Sequence, residues 1–356
     1  MISPPAPQVL AADALAEQVL RPHAEWVDQH LVPRTHLDAL AQAGLLGVTA
    51  PAELGGGGAP AAVGRAVAET LAGACGATWF VWTQHALPLS TVVRAQHPRA
   101  GELASGTLLS GVAVAHLRRP GPPAVTATPV ASGWRLDGHV GWMTGWGLCQ
   151  VFVLFALTAA GQVVSVLVEA KDQPGLTSSA PMRLAAMAAT STVVLDLDGL
   201  LVGPEAVVEV VDAAVWQAAD SVKTVNASPH NFGLQRETTR LLALAAESHE
   251  DPTAARLATR LAEQGEQLRD TAYALIDEVP AGEQLDVRLA VRAQTLDLVM
   301  RSATALVAAT GGSAMALDAA PQRLAREAMF QVVQAQTAPV REASLSLMLA
   351  QGTARR

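Results

Sequence analysis

Lysine is almost missing from this chain. Lys171 and Lys223 are the only two in 356 residues, and Lys and Arg together number 24 against 32 Asp and Glu, for a net charge of -8. A phosphate backbone finds little to hold on such a chain, which argues against nucleic acid as a partner. Cysteine is equally scarce. Cys75 and Cys149 form neither a disulfide framework nor a CxxC metal pair, and their apolar neighbours read as the surroundings of buried, reduced thiols. Long apolar runs are missing too: the densest, Val151 to Ala160, is about half the roughly 20 residues that a spanning helix needs. No basic-then-apolar leader opens the chain. The expectation is a soluble cytoplasmic protein with no membrane partner. No HExxH, GxSxG or Walker string occurs, and no metal site is expected. The Gly55 to Gly58 run has no strand before it, so it reads as a flexible turn rather than a phosphate loop.

What is present is apolar: 50% of residues are hydrophobic and only 16% are charged. A chain of this length is suited to two or three packed subdomains. From Ala11 to about Val48, apolar residues such as Leu37, Leu40, Ala41 and Leu45 recur at helical spacing, and Gly44 and Gly47 stop the pattern, which reads as a first helix pair. Val63 to Ala74 resumes it. Thr78 to Gln96 reads as a buried helix interrupted near Pro88. The texture changes near Gly106. Short β-branched runs follow, Trp134 to Leu136, Val151 to Leu157, Val163 to Val168 and Val193 to Leu197, with a hairpin at Ala160-Gly161-Gln162. From Pro204 helical periods return and run long, with Asp251-Pro252 as an N-cap and Thr310-Gly311-Gly312 as a stop. A last helix is expected from Pro321 to about Ala350. The predicted class is α+β, mainly α: an N-terminal helical domain over 1–105, a middle antiparallel barrel-like β domain over 106–203, and a C-terminal four-helix bundle over 204–356.

Several strings narrow this further. Leu40 to Gly56, Gly133-Trp-Arg-Leu-Asp-Gly138 followed by Trp142-Met143-Thr144, and Gly311-Gly312 followed by Arg323-Leu-Ala-Arg326 occur in register along the chain. Together they resemble the acyl-CoA dehydrogenase family. The resemblance implies FAD-dependent α,β-dehydrogenation of an acyl thioester, in which a glutamate takes the α-proton and the flavin takes a hydride. It also implies that Trp142, Met143 and Thr144 meet the flavin ring, with Thr144 donating a hydrogen bond near N5. His116 falls in the loop that helps to seat flavin. Gly311 and Gly312 would approach the FAD of a neighbouring subunit, which implies a homodimer or homotetramer.

The chain departs from the family pattern at the chemistry. The usual glutamate position falls at Ala335, followed by Gln336, and a methyl group cannot take a proton. The alternative glutamate position falls near Lys223, with Asp220 the nearest carboxylate. The loop usually written TEPxxGSD is His116-Leu-Arg-Arg-Pro-Gly-Pro-Pro123, in which Arg118 and Arg119 offer planar forks to a phosphate or carboxylate. The string whose arginine meets the FAD pyrophosphate is not recognisable. Histidine candidates are His85, whose ordinary reading is a hydrogen-bonded residue in a semi-buried helix, and His230, read as a cap. Gln334 and Gln336 stand where flavin monooxygenases of this fold place a histidine. Three readings stay open: a flavin oxidoreductase of acyl-CoA dehydrogenase type, a flavin monooxygenase on the same fold, and a non-catalytic subunit that completes a flavin site with a homologous partner.

Overall fold

The computed structural model describes residues 5–353. Seven helices come first: α1 (Pro7–Leu15), α2 (Ala24–Gln29), α3 (Arg34–Gln42), α4 (Ala61–Ala74), α5 (Gly76–Gln84), α6 (Ala86–Arg94) and α7 (Ala100–Ala104). Eight strands follow: β1 (Ser110–Ala113), β2 (Val125–Val130), β3 (Gly133–Met143), β4 (Val151–Thr158), β5 (Gln162–Glu169), β6 (Leu176–Ser178), β7 (Val193–Val202) and β8 (Val207–Asp212). Six helices close the chain: α8 (Ala213–Thr224), α9 (Pro229–Ser248), α10 (Pro252–Glu278), α11 (Leu285–Thr310), α12 (Ala320–Gln331) and α13 (Ala338–Thr353). The mainly helical α+β order expected from the sequence is therefore present.

The strands form one sheet in the order β6-β7-β3-β2-β4-β5-β8, with β1 beside β4. Most neighbours are antiparallel, but β1 and β2 both run parallel to β4. The hairpin at Gly161 joins β4 to β5 as read from the sequence. Both strands are buried on both faces, because alternate side chains enter two different cores. Phe152, Leu154 and Ala156 join a core shared with α1 to α5, and Val151, Val153 and Phe155 join a second one against α6, α7 and α8. The sheet also runs on past residue 203. β8 pairs with β5 from Val207 to Asp212, in the stretch assigned to the bundle on sequence alone.

The helices behave as their caps dictate. The Asp251 carboxylate accepts from the backbone N–H groups of Thr253 and Ala254, and Pro252 occupies the first helical position of α10. α11 stops at Thr310, where Gly311 takes φ +75°. The bundle core is Leu234, Leu242, Leu261, Leu298, Leu306 and Leu324. Two helical readings are corrected. The helix pair expected over Ala11 to about Val48 is instead α1, a π-turn, a 3-10 turn and α2, followed by α3. The last helix is divided at 332–337 into α12 and α13, because in a continuous helix Pro339 would lack the N–H that bonds the Ala335 carbonyl and its ring would clash with that carbonyl. Among the described residues no helix is long and apolar enough to cross a membrane.

Candidate functional site

A cleft of about 760 Å³ opens where the first helices, the sheet and the end of α12 meet. The sheet wall is the end of β3. Side chains alternate along a strand, so Trp142 and Thr144 face the cleft while Met143 turns into the core beneath Gly111. A register shift between Val140 and Met143 marks a bulge that aims this strand end. Trp142 remains 43% exposed and lines the cleft.

Thr144 does not stand alone. Its hydroxyl lies 3.0 Å from that of Thr192, which lies 3.2 Å from that of Thr190. The Thr190 hydroxyl donates to the Met187 carbonyl at 2.8 Å. One hydroxyl has one hydrogen. With Thr190 committed to Met187, the chain of contacts is satisfied when Thr192 donates to Thr190 and Thr144 donates to Thr192. Thr144 then presents an oxygen lone pair to the cleft, an acceptor where the resemblance implied a donor. The backbone N–H groups of Gly145 and Trp146 donate to the carbonyls of Thr190 and Ser191, which ties both segments together.

The rim is the turn at 115–119. His116 is buried and its Nε2–H donates to the Phe155 carbonyl at 2.7 Å, leaving Nδ1 without a partner. Burial lowers its pKa, and nearby Arg119 adds to that. Arg118 lines the cleft and is held by a two-pronged fork on Asp220, at 2.8 and 2.7 Å. Asp220 is therefore an anchor for an arginine rather than a free carboxylate. Arg119 also lines the cleft. Its Nη1 lies 4.0 Å from where a Cβ on Gly141 would stand, so the guanidinium rests over β3 beside Trp142.

The helical wall is Phe80, Thr83, Gln84 and Leu87 from α5 and α6, and Met329 and Phe330 from α12, with the two phenyl rings edge to face at 4.7 Å. The turn 332–337 completes it with Val333, Gln334, Ala335 and Gln336. Ala335 sits at φ +47°. Arg292, from α11, grips this turn from below, donating to the carbonyls of Gln334 at 3.1 Å, Ala335 at 3.3 Å and Thr224. It is 3% exposed, and burial, then Arg118, bring its pKa down to about 10. None of the lining side chains is a carboxylate, an imidazole, a thiol or an amine.

Residues 9–95 match the sequence profile of the acyl-CoA dehydrogenase N-terminal domain. A probable acyl-CoA dehydrogenase of Bacillus subtilis, YngJ, is 26% identical over 180 residues, and the match covers 47% of this chain and 47% of that protein. The match thus spans about half the length of that curated relative. Butyryl-CoA dehydrogenase of Megasphaera elsdenii superposes with a TM-score of 0.80 at 17% identity, over 98% of this chain and 97% of that one. The dibenzothiophene monooxygenase TdsC of Paenibacillus sp. A11-2 superposes with a TM-score of 0.79 at 18% identity, over 97% of both chains, and has also been solved bound to FMN. The N-terminal region thus matches the acyl-CoA dehydrogenase N-terminal domain, and the chain has the fold of the acyl-CoA dehydrogenases. The structural likenesses, at such identities, speak for its fold alone.

Other candidate residues lie away from the cleft or are otherwise engaged. Gly311 and Gly312 form an exposed turn after α11, with nothing within 4 Å of a Cβ at either. His85 is 1% exposed. Its Nε2–H donates to the Leu103 carbonyl and its Nδ1 accepts from the Ser110 N–H, both at 3.0 Å, so neither nitrogen is free for catalysis. Burial brings its pKa down to about 4. His230 is not a cap: it is buried against Trp79 at 4.1 Å between ring centroids and pushed down to about 3 by burial and Arg292. Sequence reading missed Arg292 and the Thr190–Thr192 pair. The signals were an arginine inside an apolar helix face and hydroxyl residues clustered at a strand's start.

Proposed function

We propose that this chain is a flavin-dependent oxidoreductase on the acyl-CoA dehydrogenase fold that works without a carboxylate base, in the manner of a monooxygenase rather than by α,β-dehydrogenation of an acyl-CoA. The observation that carries this reading is the cleft lining. At neutral pH no side chain on it can accept a proton, and Ala335 occupies the turn that resemblance assigns to the glutamate.

The residues present fit a flavin ring. The cleft volume lies within the range of small-molecule sites, roughly 300 to 1,000 Å³. Trp142 offers a planar surface, and Thr144 sets a polar atom two residues along the same wall. Bound there, a flavin supplies two-electron chemistry, either with an organic substrate or between a reductant and dioxygen. The protein's share is positioning. Trp142 stacks, Thr144 orients through its hydroxyl chain, and Phe80, Leu87, Phe330 and Val333 give an apolar wall that keeps water from the reacting atoms. Arg292 holds the turn at 334–335 in place. FAD is the cofactor that the family implies, and the chain's departures leave the ring site better furnished than a pyrophosphate site. A small acyl thioester or a similar molecule is the proposed substrate, and a homodimer or homotetramer the proposed assembly.

The test is a spectrum. Protein loaded with FAD or FMN is mixed with butyryl-CoA without oxygen, and the expected result is no bleaching of the flavin band. Photoreduced protein is then exposed to air, where rapid reoxidation with oxygen uptake is expected. Bleaching by butyryl-CoA would overturn the reading in favour of dehydrogenation.

A further inference from the structure

The cleft carries charge of one sign only. Its charged lining residues are Arg118 and Arg119, and no acid lines it. The Arg118 charge is cancelled by Asp220, which also fixes its direction. Arg119 makes no ion pair among the described residues, and it is held in place from behind. Its own N–H donates to the His116 carbonyl, His116 is bound to Phe155, and the neighbouring Arg118 is forked onto Asp220. Beneath the same floor lies Arg292, a buried cation whose hydrogen-bond partners are all carbonyls and whose Nε has no partner.

Arg292 is a buried charge that little water screens, while Arg119 is an exposed guanidinium at the cleft edge with no carboxylate to answer it. A cleft lined by one sign of charge focuses its field on whatever enters. The guanidinium of Arg119 also lies over Gly141 and next to Trp142. A ring or acyl group stacked on that indole would place its substituents within the reach of a planar fork suited to a carboxylate or phosphate.

We propose that the Arg119 edge of the cleft is an anion subsite, which takes a carboxylate or phosphate group carried by the ligand. This rests on the reading of the cleft as a flavin and substrate site. Arg118 acts as its positioning residue and Arg292 supports it by charge from below.

The experiment is calorimetric binding of two matched pairs to the full chain. Malonyl-CoA against acetyl-CoA, on flavin-loaded protein, isolates a carboxylate on the acyl group. FMN against riboflavin, on flavin-free protein, isolates a phosphate on the flavin. The expected result is a preference of about tenfold for the charged member of one pair, which weakens with added salt, is erased in Arg119→Gln and is partly kept in Arg119→Lys. The pair that shows it names the source of the anion. Preferences below about twofold in both pairs, or a preference that survives Arg119→Gln, would overturn the proposal. If neither flavin binds at all, the functional reading falls and the subsite falls with it. Equal binding of both members of each pair defeats the subsite alone. Arg119 is exposed, so its replacement leaves the fold intact.

Discussion

His85 and His230 are held neutral, and that has a sign that can be measured. Each is pushed by burial well below the usual imidazole value, His85 to about 4 and His230 to about 3. In the unfolded chain both titrate near 6.5. Below that pH the unfolded state takes up protons that the folded state refuses, so stability falls as the pH drops from 6.5 towards the folded values, and it is fully present above 6.5. At pH 5 the His85 share of that loss is about 2 kcal/mol. His85→Gln should therefore be less stable than the parent at pH 7.5 but lose less between pH 7.5 and pH 5. Urea midpoints at the two values test this, and an equal acid loss in both proteins would remove His85 as a source. His230 pulls in the same direction, so the variant keeps part of the acid sensitivity.

The element that decides the chemistry is the turn at 332–337. It carries Ala335 at φ +47°, a left-handed conformation that costs a residue with a Cβ about 1 kcal/mol. Ala335→Gly removes that strain together with a methyl that fills no core, so it should raise stability by about 1 kcal/mol. A urea midpoint at or below that of the parent would show that the turn is not strained. This turn was not legible in the sequence. Val-Val-Gln-Ala-Gln at 332–336 keeps helical residues running, and what bends the chain there is Pro339 ahead and the grip of Arg292, a contact that spans 42 residues or more. Where the cause is local, the sequence spoke clearly. The Gly161 hairpin, the Asp251-Pro252 cap and the Gly311 stop all depend on residues within a turn of one another. The site divides in the same way. Trp142 and Thr144 follow from strand alternation, whereas the Thr190–Thr192 hydroxyls, the Asp220 fork and Arg292 come from distant segments that only the folded chain brings together.

On the scale of the whole molecule, the first helices share their hydrophobic cores with the sheet and also cross the C-terminal helices. The joint is the crossing of α4 and α9. A Cβ on Gly233 would stand 2.0 Å from the Glu69 carbonyl oxygen, and one on Gly73 would stand 2.8 Å from the Gly233 carbonyl oxygen, so the two backbones touch because neither residue has a side chain. Charge locks the crossing. The Glu69 side chain is 2% exposed and accepts from Arg236, Arg269 and Tyr273, and Arg21 from the first region pairs with Glu237 of α9. Arg323 and Arg326 of α12 reach back to Glu25 and Asp28, and Arg326 also donates to the Ala185 carbonyl at the cleft. A wedge at the crossing should therefore loosen both regions at once. Gly233→Ala forces the helices apart, at a cost of about 3 kcal/mol. Amide hydrogen exchange should quicken in α4 by the same factor as in α9, because the two lose protection as one cooperative unit. If only α9 exchanged faster, the crossing would be a contact between two independently stable regions, and the cleft would be bounded by parts free to move against each other.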